Sequence, residues 1–298
     1  MKKTIRTIFS FLTKPFTHPF AKRNILLTFY RIFKWQVLSR VKMESVEPWV
    51  NDIKVVCRNG DTGFTGNIYY GLMEYDDMIF ILHLLNKDDT FLDIGSNLGS
   101  YSLLASGVCS SYTYSFEPSP TTFKRLLRNV EINHLNNLSC LNIGAGEENG
   151  SFLMTDSKGP ENHFILNDHS FNDSVKVEVK RIDDIDFSSS PTFIKIDTEG
   201  TELSVIRGAL KTLELESMIG LLVEINGNNE RYNETDEEMI LLLNSMNYFS
   251  YRFDSVSKKL HKTNKVNSKG NTLFIKNYAI ALSKIKRYKG TTLWNFDL

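Results

Sequence analysis

From residue 90 onward, short apolar runs alternate with stripes of helical period. Thr90-Phe-Leu-Asp-Ile94 predicts a strand, and Gly99 to Ser106 begins a helix. Tyr112 to Glu117 predicts a second strand. Ser119-Pro120 then opens a helix, with Ser at the N-cap and Pro at the first helical position. Phe123, Leu126, Leu127 and Val130 form its stripe at i, i+3, i+4, i+7. Leu138 to Ile143 and Thr192 to Asp197 are the third and fourth strands. Leu203, Val205, Ile206 and Leu210 mark the next helix, and Ile219 to Ile225 the fifth strand. Thr235-x-x-Glu238 is a capping box before Met239, Ile240, Leu242 and Leu243. Tyr248 to Phe253 and Thr272 to Ile275 are the last strands. Repeated strand–helix units predict an α/β fold, a parallel sheet with helices on both faces. Residues 151–180 break the rhythm and read as an inserted hairpin. Residues 46–70 read as β-like with a Gly-rich turn, part of a lead-in over 46–87. The main domain spans 88–278, and 279–298 reads as a tail.

Residues 1–45 are different in kind. They form a basic, aromatic-rich extension in which Phe9, Phe11, Leu12, Phe16 and Phe20 lie among cations, and 24–40 fits a helix. The whole chain of 298 residues balances 35 Lys+Arg against 35 Asp+Glu. Residues 1–42 hold ten of those cations and no acid, so the rest carries 25 − 35 = −10. A helix packed on the body, an arm lying on an anionic membrane surface, and a transit peptide are the three readings of this segment.

Charge neutrality overall argues against a nucleic-acid partner. No run of 18 apolar residues predicts a membrane span. The longest uncharged N-terminal stretch, Thr7 to Thr13, is too short for a good secretory signal. Three widely spaced cysteines, Cys57, Cys109 and Cys140, favour neither a disulfide framework nor a structural zinc. A cytoplasmic protein, free or peripheral on the inner face of the membrane, is the expectation. No oligomeric state follows.

The candidate chemistry sits at strand ends, where open α/β sheets bind ligands. The first strand runs into Asp93-Ile-Gly95-Ser-Asn97-Leu-Gly99. Asn97 and Ser100 stand where a dinucleotide fingerprint needs its second and third glycines. Gly-x-Asn-x-Gly fits an S-adenosylmethionine (SAM) loop better, with a ligand-free tight turn as the bland alternative. Glu117 lies 22 residues after Gly95, where an acid holds a ribose diol. Lys195, Asp197 and Glu199 alternate at the fourth strand's end, and Glu224 ends the fifth. Those carboxylates suit a proton acceptor or a divalent ion, and a Lys195–Asp197 salt bridge at the rim is the bland reading. No metal site is predicted.

Together these residues resemble the FkbM-family SAM-dependent methyltransferases. The resemblance rests on Phe91-Leu-Asp-Ile-Gly-Ser-Asn-Leu-Gly-Ser-Tyr101, Ser115-Phe-Glu-Pro-Ser-Pro120 with Asn129 and Asn133, and Arg181-Ile-Asp-Asp-Ile185. Phe193 to Glu202, Gly208 and Leu222-Val-Glu-Ile225 complete it. Segment 63–80 and His18-Pro19 through Trp35-Gln36 look like one bacterial subgroup. Ser96 and Thr198 stand where Ala and Val are common. The resemblance implies a class I methyltransferase, Rossmann-like fold with seven strands, the last antiparallel. It implies SAM as cofactor. Asp93, Gly95, Asn97 and Gly99 would border its methionine part, with Ser96, Ser100 and Tyr101 alongside. Glu117 and Pro118 would serve the ribose, and Ala145 or Gly146 the adenine edge. The implied activity is O-methylation of a saccharide or glycan hydroxyl, of the kind found in cell-envelope polysaccharide. Asp197 is the first candidate for base or substrate anchor, then Glu199 and Glu224, and His163 in the insertion is a further candidate. A SAM-binding scaffold recruited by its basic arm is the alternative.

Overall fold

The chain is described by a computed structural model over residues 13–156, 162–165, 174–268, 270–288, 290–294 and 296–298. Phe9, Phe11 and Leu12 of the extension and Glu161 of the insertion lie outside these residues. Helix α1 (Ile25–Val41) is opened by Asn24, whose side chain accepts the Leu27 N–H at 3.0 Å. Thr28, Ile32, Trp35 and Ser39 are its buried side, so 24–40 does pack on the body. Strands β1 (Glu44–Pro48) and β2 (Lys54–Arg58) form an antiparallel hairpin. Helices α2 (Thr62–Tyr70) and α3 (Tyr75–Leu84) follow. The Gly-rich stretch expected as a turn is therefore helical. Gly63 and Gly66 cost helix propensity, but Phe64, Tyr69 and Tyr70 are buried, and a Cβ on Gly66 would meet Met73 Sδ at 2.5 Å.

The sheet holds β3 (Thr90–Ile94), β4 (Tyr112–Phe116), β5 (Leu138–Leu141), β9 (Phe193–Ile196) and β10 (Gly220–Ile225). They run parallel in the order β5-β4-β3-β9-β10. Every residue of β3 and β9 is buried, as expected of strands covered on both faces. Phe91, Phe193, Leu222 and Leu273 feed one apolar layer, and Leu92, Ile94, Ile194, Ile196 and Val223 the other. Helices α4 (Ser100–Leu103) and α5 (Pro120–Ile132) cross over between the first three strands. Helices α6 (Glu202–Arg207) and α7 (Leu210–Glu214) link β9 to β10.

Beyond β10 the order continues β13 (Gly270–Ile275), β11 (Phe249–Asp254), β12 (Lys259–Lys262). β13 is antiparallel to β10. The expected seven strands are thus in place, and β12 is an eighth. Asp254 turns the chain into it by accepting the Val256 and Ser257 N–H groups at 3.0 and 3.2 Å. The capping box forms as expected on α8 (Asp236–Ser245).

The insertion is a hairpin of β7 (Gly150–Thr155) and β8 (Ser174–Lys180), joined in parallel by the short β6 (Gly144–Ala145). Residues 279–298 are not a loose tail. They complete α9 (Tyr278–Arg287) and the pair β14 (Thr292–Leu293) and β15 (Phe296–Asp297), with Ile285 and Leu293 fully buried. Trp294 donates to Pro48 O at 3.1 Å and lies under Arg31 of α1. No helix of the described residues is long and apolar enough to cross a membrane.

Asn129 and Asn133, one turn apart on α5, tie the N-terminal hairpin to the sheet. Asn129 accepts the Val56 N–H at 2.7 Å and donates to Leu98 O at 2.9 Å. Asn133 accepts the Lys54 N–H and donates to its carbonyl. The open edge of β2 is satisfied by side chains in place of a third strand.

Candidate active site

The loop after β3 is shaped by its own backbone first. Gly95 and Gly99 hold φ of +77° and +88°, a region that other residues rarely adopt. A Cβ on Gly95 would fall 1.8 Å from Asp197 O, so this glycine lets the β3 and β9 loops touch. A Cβ on Gly99 would strike Leu126 Cδ1 at 2.6 Å, so it serves the α5 contact. Gly95 and Ser96 donate their N–H groups to Phe116 O, both at 3.0 Å. This pins the loop to the end of β4.

Glu117 follows that strand end and is almost fully buried. Its two oxygens accept the Asn97 and Ser119 N–H groups, each at 2.9 Å. Burial pushes the carboxyl up to about 7, while those two N–H groups pull it down. Each oxygen keeps a second lone pair, so a diol can still be bound. Glu117 lines a cleft with Pro118, Ile143, Ala145, Met154 and Phe164, and with Gly95, Asp197 and Glu199. An acid on one wall and flat apolar groups on the other suit a nucleoside.

A second compartment shares Gly95, Asn97 and Asp197 with the first. Its lining brings Asn67, Glu74, Asp93, Ser96, Tyr101 and Lys195 together beside Phe64, Met73 and Met78. Asp93 and Lys195 are register partners on β3 and β9, so their side chains leave the same face. Asp93 accepts from Ser102 Oγ at 2.5 Å, and its other oxygen has no partner among the described residues. Burial raises its carboxyl, and Lys195 and Ser102 oppose that shift. Tyr101 donates to Glu74 Oε2 at 2.8 Å. A buried acceptor without a donor, beside a second carboxylate, fits the ammonium of an amino acid. The two compartments together therefore fit SAM, adenosine in one and methionine in the other.

Lys195 is buried among three acids. Burial works against its charge, but Asp197, Asp93 and Glu74 raise its pKa above the ordinary lysine value, so it stays an ammonium. It donates to Asp197 Oδ2 at 2.7 Å. The rim salt bridge is real, and it orients Asp197 within the wall common to both compartments.

The strand ends at Ile196, and Glu199 takes a positive φ of 58°, so simple alternation does not carry Glu199 onto Asp197's face. The turn does this instead. Glu202 Oε1 accepts the Thr198 and Gly200 N–H groups at 2.8 and 3.1 Å and holds it. Carboxylate oxygens of Asp197, Glu199 and Glu224 then lie within 4.8 Å of one another, a set that also suits a divalent cation. Burial first, then Asp197, Glu199 and Glu202, push Glu224 up to about 9. These surroundings favour its protonated form, and a cation among the trio would oppose that.

The sequence candidates divide as follows. Gly95, Asn97, Glu117, Pro118, Ala145, Asp197 and Glu199 line the first compartment. Asp93, Ser96, Ser100 and Tyr101 line its neighbour. Gly99 lines neither compartment, and Gly146 borders a separate cleft. Glu224 lines neither but joins the acid trio. His163 is also absent from both linings, where its neighbours Asn162 and Phe164 appear. The bridge between Met154 and Phe164 turns 162 and 164 inward. Sequence reasoning missed Glu74, Asn67, Ile143 and Phe164. Glu74 had a signal, an acid-rich Glu74-Tyr-Asp-Asp77 run ahead of an apolar helix.

Residues 93–250 match the Methyltransferase FkbM domain family. A hexuronic acid methyltransferase, AglP of Haloferax volcanii, is 28% identical over 158 residues, 51% of this chain and 62% of that protein. Methyltransferase 1 of Beauveria bassiana is 28% identical over 146 residues, 41% of this chain and 59% of that protein. The chain thus spans about six tenths of the length of these curated relatives. Among solved structures, TYW2 of P. horikoshii in complex with MeSAdo covers 84% of this chain and 85% of its own, at 12% identity and TM-score 0.42. TrmK of M. capricolum with S-adenosyl-homocysteine covers 70% of each chain, at 13% identity and TM-score 0.38.

Proposed function

The chain belongs to the FkbM methyltransferase family, and on that premise we propose that it transfers the methyl group of SAM to a saccharide hydroxyl. The observation that carries the reading is a pair of adjoining compartments at the strand ends, with Glu117 in one and Asp197 in the wall shared with the other. Bound SAM supplies a methyl already activated by its sulfonium. The protein's work is then alignment, exclusion of water and removal of one proton. Glu117 holds the ribose diol, and Ile143, Met154 and Phe164 cover the base. Asp93 and Glu74 accept from the ammonium. Asp197, oriented by Lys195, takes the proton of the acceptor hydroxyl as the new bond forms. Glu199 anchors further hydroxyls of the sugar.

A saccharide acceptor draws support from the relative that methylates a hexuronic acid. The acid trio argues for an uncharged sugar over a hexuronate here, because a third party's carboxylate would meet Asp197 and Glu199. Calorimetry with SAM, then turnover on neutral hexosides and hexuronides followed by mass spectrometry, tests the reading. A protein that binds SAM but methylates none of these sugars is the scaffold of the alternative reading. One that does not bind SAM overturns both.

A further inference from the structure

Helix α1 is apolar on two opposite sides. One packs on the body through Thr28, Ile32, Trp35 and Ser39. The other is bare. Leu26 is 84% exposed, Phe33 69% and Val41 78%, with Tyr30 and Val37 between them. Their spacing of i, i+4, i+7, i+11 and i+15 makes a single stripe along the helix. Met43, just past the helix end, extends it and is also exposed. A contiguous apolar stripe on a surface calls for a partner.

The charges around the stripe say which partner. At about 3.6 residues per turn, Lys34 falls on one flank of the stripe and Arg40 on the other. Both are exposed, as are Lys22, Arg23 and Lys42. Residues 1–42 contain no acid to oppose them. The nearby Glu47 pairs with Lys34 at 3.3 Å, and Glu44 with Arg58 at 3.0 Å. A second copy of the chain would set the same cations against each other, which disfavours a symmetric dimer through this face. The helix does not qualify as a membrane span. An apolar stripe edged by cations is the pattern of a helix lying in the plane of a lipid interface.

We propose that α1 rests its outer face on an anionic lipid bilayer. Leu26, Phe33 and Val37 enter the headgroup boundary, Arg40 and Lys42 meet the lipid phosphates, and Lys34 exchanges its exposed pair with Glu47 for one. The inference goes beyond the methyl-transfer reading and does not depend on it.

The test is co-sedimentation of the full-length protein with vesicles of phosphatidylcholine alone or mixed with phosphatidylglycerol. Two double variants accompany it, Phe33→Glu/Val37→Glu and Lys34→Glu/Arg40→Glu. Their side chains are outside the core, and SAM calorimetry with thermal melts confirms that both still fold. Wild type binds the anionic vesicles at low salt, loses them as salt rises, and binds neutral vesicles far less. Each double variant binds anionic vesicles at least about tenfold less. Three results overturn the proposal. In the first, wild type ignores anionic vesicles at low salt. In the second, either variant co-sediments as wild type does. In the third, ultracentrifugation shows a dimer that Phe33→Glu/Val37→Glu dissolves, without vesicle binding.

Discussion

Glu117→Gln removes a charge while keeping most of the shape, and two opposite pH dependences follow from it. In the protein without SAM, the Glu117 carboxyl is raised from 4.5 to about 7, chiefly by burial. A raised carboxyl means that the folded state holds its proton over a range where the unfolded chain has released it. Stability is therefore fully present below about 4.5 and is lost as pH rises through about 7. At 1.36 kcal/mol per unit, that loss is roughly 3 kcal/mol. Ligand binding has the reverse slope. The ribose diol donates to the carboxylate, so SAM favours the deprotonated form and its affinity falls below pH 7, by at most about tenfold per unit. Gln titrates nowhere, so the variant loses both slopes. At pH 8 it also loses the charged hydrogen bonds, about 1.5–3 kcal/mol, or roughly 10- to 150-fold in Kd. Urea melts of the SAM-free protein across pH, and calorimetry with SAM across the same range, read the two effects. Taking differences between wild type and variant cancels the titration of SAM itself. A variant that binds SAM as tightly as wild type at pH 8, or keeps the wild-type pH profile, refutes the ribose role.

Asp197→Asn lowers kcat by about a hundredfold or more while SAM binds within a few fold, because the proton acceptor is lost and the nucleoside wall is kept; near-normal turnover removes Asp197 from the mechanism. Glu224→Gln at pH 7 changes kcat by less than about tenfold, since the group raised to about 9 already carries its proton. A large loss there, together with inactivation by a chelator, assigns the trio to a divalent cation instead. Asn129→Ala lowers stability by about 2–4 kcal/mol in urea melts, because it orphans the buried Val56 N–H and Leu98 O; a smaller change means that water replaces the side chain.

The strand ladder was legible because fully buried parallel strands write themselves as unbroken apolar runs, as in Phe193-Ile-Lys-Ile196. The capping box at Thr235 and the Ser119-Pro120 helix start were equally plain, since each is a local rule satisfied locally. The α2 helix was not. Its two glycines speak for a turn, and only the pocket that receives Phe64 and Tyr70 outweighs them. The eighth strand was missed because β12 is an edge. Lys259, His261 and Lys262 face solvent, and only Leu260 is buried, so no apolar run announces it. Residues 279–298 looked like a tail for a similar reason. Their burial comes from α3, from Asp89 just after it and from the β1–β2 hairpin, all far earlier in the chain.

At the site, sequence spacing found the acids but not what makes them act differently. Asp93, Glu117, Asp197, Glu199 and Glu224 look alike in a sequence, each a carboxylate at or near a strand end. Their environments separate them. Lys195 neutralises Asp197 directly, and its register with Asp93 places the same ammonium near a second acid. Glu117 is held by two backbone N–H groups that only the bent Gly95–Gly99 loop and the α5 start can aim at it. Glu224 is raised by burial first and then by Asp197 and Glu199, with Lys195 opposing the shift. One carboxylate is thereby paired with a lysine, one is raised to about 7 by burial, and one is raised by burial and by its acidic neighbours. That division gives carboxylates of one sheet edge different chemical surroundings, as the proposed diol-binding and proton-accepting roles require. It rests on register, loop strain and burial together, none of which is a property of the residue types alone.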